Sequence, residues 1–325
     1  VVEKDLIMHS HSGHSHSSLD AIAYSRDKGI LMRRAIYVAV VVSLGMIGLK
    51  AYAWLKTGSL SLLSSLIDSG MDMAASLVNL FAIHRALSPA NQEYGFGQSK
   101  AESLAALSQS IFIGASSLFL VHQALERFAH PEELVSTQMG LWVMGVASVA
   151  TLGVVCFQRY VIGKTNSLAI QADELHYKTD LLMNLGVFVT LLLSGWLHDP
   201  WIDPAFAICI AGYIFYTAVT IGKSSVDVLM DRELPQEVRD QILQMAFAHP
   251  QVRGVHDLRT RSGGARQFAQ LHLELDGHIT LAEAHQIADK VEREISSALP
   301  HTEVIIHQDL HMPHQGEGEK REPLL

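Results

Sequence analysis

The chain has 325 residues, 49% of them hydrophobic and 18% charged, with a mean hydropathy of +0.20, a balance that argues against a purely soluble protein and for a membrane protein with a soluble part. A formal net charge of −9 speaks against a nucleic-acid partner, which would want a basic surface. The two cysteines, Cys156 and Cys209, lie in apolar runs and supply neither a disulfide framework nor a thiolate metal site.

Residues 1–30 form a His/Ser-rich tail, whose polar stretch "HSHSGHSHSSLD" is expected to be disordered. The tail lacks the apolar core and cleavage site of a signal peptide. Its His9, His11, His14 and His16 offer a flexible, low-affinity metal collector. Six apolar stretches follow within 31–222, at roughly 34–55, 60–83, 102–125, 138–160, 166–194 and 204–222. Each is near the length of about 20 residues that crosses a bilayer. Arg26, Lys28, Arg33, Arg34, Arg85, Lys100, Arg159, Lys164 and Lys223 flank one set of span ends. The positive-inside rule then puts both termini in the cytoplasm. Lys50, inside the first span, reads as a snorkelling side chain.

After residue 222 the texture changes, and 223–312 reads as a separate cytoplasmic domain. "LPQEVRDQILQMAFAHP" has helical periodicity, and "GVHDLRTRSGGARQFAQLHLELDG" reads as two alternating strands around a Ser-Gly-Gly turn. "TLAEAHQIADKVEREISSALP" is a second helix, with Thr280 as N-cap and Glu283 as its capping-box partner. "TEVIIHQDL" is a last strand, which makes a small α+β domain of ferredoxin-like type; residues 313–325 are expected to be disordered.

Ionisable residues inside two of the spans carry the chemistry. Asp68 and Asp72 in "SLIDSGMDMAASL" are four residues apart and share one helical face, and His176 and Asp180 in "DELHYKTDLLMN" repeat the spacing. Each carboxylate at the bilayer centre costs roughly 2.5–3.5 kcal/mol to insert on translocon scales, so such groups face one another or a wet cavity. Three carboxylates and one imidazole from two helices make a four-coordinate shell for a divalent metal. One nitrogen with three oxygens favours Zn2+ or Cd2+ over manganese, with Fe2+ and Co2+ as alternatives. Metal needs these groups deprotonated, so protons compete for the same place.

The paired Asp-x-x-x-Asp and His-x-x-x-Asp, six spans and an α+β tail resemble the cation diffusion facilitators, in particular the bacterial YiiP-type zinc exporters. "TGSLSLLSSLIDSGMD", "KAESLAALSQS", "LHYKTDLLMN", "HDLRTR" and "VIIHQD" carry the likeness, which covers about residues 30 to 310. The resemblance implies a homodimer in the bacterial inner membrane that exchanges cytoplasmic metal for protons by alternating access. It implies that Asp68, Asp72, His176 and Asp180 bind the transported ion. It also implies that His256, His272, His285, His307 and Asp309 form a zinc site at a dimer interface of the tails, and that Leu175 stands at a hydrophobic gate.

One part of the pattern is missing. Such proteins carry a further site of one Asp and two His in the second cytoplasmic loop, where this chain has Asn91, Tyr94 and Gln98. Without an anion or imidazole that loop is expected to bind zinc poorly or not at all. A competing function is a membrane-anchored metal sensor or storage protein without transport, although an anchor needs no ionisable pairs inside its spans. An enzyme is not expected: there is no His-Glu-x-x-His helix of an intramembrane protease and no ATP-binding loop.

Overall fold

The structure is a computed structural model describing residues 15–58, 60–129, 138–197, 201–264, 266–299 and 302–311. His9, His11, His14 and the expected disordered segment 313–325 lie outside the described residues. The chain divides into two compact units, a helical one of residues 22–230, which takes the first helix from Ile22 onward, and a second that contains residues 231–311.

The first unit is built on six helices: α1 (Ser15–Thr57), α2 (Leu60–Ala86), α3 (Lys100–Ala129), α4 (Gln138–Thr165), α5 (Leu168–Leu197) and α6 (Ile202–Leu229). Among the described residues, five stretches are long and apolar enough to cross a membrane, one each in α1, α2, α3, α4 and α6. The first half of α5 carries Asp173, Glu174, Lys178 and Asp180, and its second half is the apolar run "LLMNLGVFVTLLLSGWL". Helices suit lipid because every backbone group is satisfied within the segment. The outer surface agrees, with Val41, Leu44, Ile111, Trp142 and Val149 all well exposed.

Two boundaries differ from the sequence reading. Helix α1 starts at Ser15, inside the tail expected to be disordered, because "DAIAYSRDKGILM" runs on with helix-compatible residues and no proline. Helix α6 continues past residue 222 to Leu229, because "SSVDVL" keeps the helical pattern beyond Lys223.

Helix α3 packs chiefly on α6. Gly222 permits the approach: a Cβ there would lie 2.9 Å from Ser110 Oγ. Helix α5 contacts α2, α3, α4 and α6. Leu175, on α5, is 1% exposed and packed among Ala106, Ile113, Ile214 and Ala218 of α3 and α6.

The second unit contains α7 (Gln236–Ala248), β1 (Gly254–Ser262), β2 (Gln267–Leu275), α8 (Leu281–Ala298) and β3 (Thr302–Leu310). The strands form one sheet in the order β1-β2-β3. Strands β1 and β2 pair antiparallel as a hairpin; β3 returns through α8 and pairs parallel to β2, the arrangement a helical crossover permits. Ala269, Leu271, Leu273 and Leu275 of β2 turn to one face and pack with Ile242 of α7 and Ile287, Val291 and Ile295 of α8. The period of two therefore sends His272 and Glu274 to the other face. Thr280 caps α8 and Glu283 closes the capping box, as its sequence foretold.

Candidate metal centres

In the helical unit, α2 and α5 bring Asp72, His176 and Asp180 together, with one ligand atom from each within 4.8 Å of the others. His176 Nε2 lies 2.9 Å from Asp72 Oδ1. That approach is off the hydrogen-bonding direction, and among the described residues this buried nitrogen has no hydrogen-bond partner. A buried polar atom without a partner is costly unless something else satisfies it, and a cation between the imidazole and the carboxylates would do so. Asp68, one turn along α2, stands outside the tight group but lines the same cavity, which has a volume of about 210 Å³. Residues of α1, α2, α4 and α5 line this cavity, among them Met46, Thr151 and Asn184.

Lys50 departs from the snorkelling expectation. Its ammonium turns into the cavity and donates to Ser69 Oγ at 2.6 Å and to the Ser65 carbonyl at 3.2 Å. Nothing in the sequence marks this, because a lysine in mid-span reads the same whether it reaches for the headgroups or for a neighbouring helix.

Two layers of buried polar side chains support the site. Tyr177, next to His176, shares hydrogen bonds with Ser43 at 2.6 Å and Ser76 at 3.1 Å, which ties α5 to α1 and α2. One turn further along α5, Asp173 is fully buried and accepts from Asn79 Nδ2 at 3.1 Å and Gln158 Nε2 at 2.6 Å. Asn79 also donates to Gln109 Oε1, so the layer joins α2, α3, α4 and α5. Sequence reasoning missed these residues; the signal available was Asp173 itself, a carboxylate one turn before His176 at the start of an apolar helix.

In the sheet domain, register makes the second group. His256 pairs with His272, and His272 with His307, so three imidazoles cross the sheet in one row. In the next row Gly254 faces Glu274, and Glu274 faces Asp309. His256, His272 and Asp309 have ligand atoms within 4.8 Å of one another. Asp309 is hydrogen-bonded to His272 Nδ1 at 2.8 Å, and His256 Nε2 and His307 Nε2 lie 3.2 Å and 3.3 Å from its carboxylate. The His272 hydrogen bond holds the Asp309 carboxyl below the usual carboxylate range, against a smaller opposing effect of desolvation. A bulge between His256 and Arg259, with Asp257 at φ 49°, lets both Val255 and Thr260 face inward while His256 stays on the ligand face. His285 is not drawn into this group; on α8 it faces Asp289 of its own helix at 3.7 Å.

The loop between α2 and α3 places Asn91, Tyr94 and Gln98 without any metal-ligand cluster among the described residues. Asn91 Oδ1 already accepts from the amides of Glu93 at 3.1 Å and Tyr94 at 2.7 Å, so its carbonyl serves the turn.

With this geometry in hand, comparison with known proteins decides the family. Residues 36–230 match the cation efflux transmembrane domain, and residues 234–311 match the cation efflux protein cytoplasmic domain. The chain belongs to the cation efflux family. It is similar to the cation-efflux pump FieF of Pectobacterium carotovorum, 46% identical over 86% of this chain and 93% of the relative. It is also similar to FieF of Klebsiella pneumoniae, at 45% identity over 86% and 93% of the two chains. Among solved structures, a candidate zinc transporter, CzrB, matches in its zinc form at 33% identity and a TM-score of 0.24, over 28% of this chain and 99% of that one. The protein is thus an integral membrane protein of a cation-transporting family, with a helical membrane domain and a C-terminal cytoplasmic domain.

Proposed function

We propose that this cation efflux protein is a proton-coupled antiporter that exports Zn2+ from the cytoplasm through Asp68, Asp72, His176 and Asp180, with Cd2+, Fe2+ and Co2+ as further substrates. The observation that carries this reading is the convergence of Asp72, His176 and Asp180 around a buried imidazole nitrogen that no hydrogen bond satisfies. Asp68, on the wall of the same cavity, is the fourth ligand, reached by a small adjustment of α2 or of its side chain. One nitrogen and three oxygens in a four-coordinate shell suit zinc, which imposes no d-electron geometry of its own.

Proton coupling follows from the donors. Carboxylates and neutral imidazole bind metal only when deprotonated, so binding expels protons and protonation expels metal. Facing the cytoplasm the site takes metal; facing a more acidic exterior it takes protons and releases metal. The flanking basic residues support cytoplasmic termini, and the bacterial cation-efflux relatives support residence in a bacterial inner membrane.

The sheet-domain group is proposed as a regulatory zinc site. Two imidazoles and a carboxylate from one chain fit zinc, and His307, its ring centroid 4.8 Å from that of His272 and tilted by 52°, stands beside them. A homodimer would let a second copy bring its His285 to this group, so that zinc tightens the pairing of the tails.

The test is zinc uptake into proteoliposomes under an imposed pH gradient, comparing the wild type with Asp180→Ala. Gradient-driven uptake that disappears in the variant is expected. Equal flux in both proteins, or no gradient dependence in the wild type, would overturn the reading.

A further inference from the structure

We infer that Glu274 is a positioning residue of the C-terminal metal group, holding Nδ1 of His256 so that Nε2 is presented where His272 and Asp309 converge. The inference rests on the proposal that this group binds zinc.

The geometry is that of an imidazole held between two carboxylates. His256 Nδ1 lies 3.2 Å from Glu274 Oε1, while its Nε2 lies 3.2 Å from Asp309 Oδ2. A neutral imidazole carries one N–H and can donate to only one of them. Asp309 already receives the Nδ1 of His272 at 2.8 Å and faces His307 Nε2 at 3.3 Å. Glu274 has an oxygen directed at His256, so the proton is best placed on Nδ1. Nε2 is then left as a lone pair aimed into the group, the form a metal needs. Ligating histidines commonly have their tautomer and ring orientation set in this way by a carboxylate on the other nitrogen.

Two features show that the Glu274 carboxylate is held in place. His311 Nδ1 approaches its other oxygen, Oε2, at 2.9 Å. His311 is itself anchored, since its backbone amide donates to the Leu275 carbonyl at 2.7 Å and extends the strand pairing beyond Leu310. The second feature is Gly254, which stands opposite Glu274 in the register. A Cβ there would lie 2.6 Å from Glu274 Oε2 and 2.8 Å from Cδ, so only glycine leaves the carboxylate where it is. His256, Glu274 and His311 thus form a chain of close polar contacts, in which the His311–Glu274 pair is hydrogen-bonded and His256 Nδ1 lies 3.2 Å from the other carboxylate oxygen.

The test uses the full-length protein in detergent, with Asp180→Ala in every sample to disable the helical-domain site, and titrates zinc against a competing chelator. Glu274→Gln keeps the shape and removes the charge; it is expected to weaken zinc binding by about 10–100-fold. Gly254→Ala, which displaces the carboxylate without altering it, is expected to weaken binding in the same direction. In a His256→Ala background, Glu274→Gln should produce no further change, because its effect passes through that ring. Affinity within twofold of the parent for both single variants would overturn the inference. So would an equal loss from Glu274→Gln in the His256→Ala background, which would make Glu274 a residue of general structure. If Asp309→Ala and His307→Ala also leave zinc affinity untouched, the group does not bind zinc, and the proposed site falls together with the inference.

Discussion

Replacing Asp173 with alanine should loosen the helices that carry the transported-metal ligands. Asp173 lies about two turns from Asp180 along α5, and Asn79 about two turns from Asp72 along α2. The Asn79–Asp173 hydrogen bond therefore fixes the register of the two helices near the metal group. The Gln158 bond adds α4 to the same carboxylate. In water-soluble proteins two such hydrogen bonds would contribute about 1–3 kcal/mol together. Between helices in a membrane the average is nearer 0.6 kcal/mol each, because the loosened helices find other partners in lipid. Orphaning two buried amides raises the cost again, so a loss of about 1–3 kcal/mol is expected for Asp173→Ala. At roughly 2–4 °C per kcal/mol for a domain of this size, that is a fall of about 2–12 °C in melting temperature. Asp173→Asn, which keeps one acceptor oxygen, should fall less. The assay is thermal unfolding of the detergent-purified protein, followed by zinc titration at the helical-domain site. Asp173→Ala that melts within about 1 °C of the wild type and binds zinc equally would refute a clamping role.

Other predictions concern the loop and the C-terminal domain. Asn91→Ala and Gln98→Ala should leave the number of zinc ions bound per chain unchanged, since Asn91 Oδ1 is committed to the amides of Glu93 and Tyr94; a lost ion, counted by elemental analysis, would disprove this. Thr280→Ala should destabilise the C-terminal domain by about 0.5–2 kcal/mol through loss of the α8 cap, read as an earlier unfolding transition; no shift would mean the capping box is not formed in solution. For Asp309, whose carboxyl is held below its ordinary range chiefly by the His272 hydrogen bond, the sign is set by linkage. Its stabilisation is fully present above the unfolded pKa of about 3.9 and is lost as pH falls through the lower folded value. The difference in melting temperature between metal-free wild type and Asp309→Asn should hold as pH falls from 5 to about 4 and shrink only below that. A difference already gone at pH 5 would contradict it.

Much of this protein is legible in its sequence because local physics writes it there. Apolar runs of membrane-spanning length report helices, since lipid leaves the backbone few alternatives. The spacing of four puts Asp68 with Asp72 and His176 with Asp180 on single helical faces, and the period of two puts His307 and Asp309 on one face of a strand. The Thr280–Glu283 capping box is equally local. Relations between elements are not written that way. That Asp72, His176 and Asp180 meet while Asp68 stands back on the cavity wall depends on how α2 and α5 pack. That Lys50 reaches Ser69, and that Asn79 and Gln158 reach Asp173, depends on neighbours far away along the chain. The row of His256, His272 and His307 needed the strand register and the bulge at Asp257, which changes the face of each later residue in β1. Side-chain periodicity reads the faces of one helix or strand; which faces meet is decided only when burial of apolar surface and satisfaction of buried polar groups are solved together, and that solution is the tertiary structure.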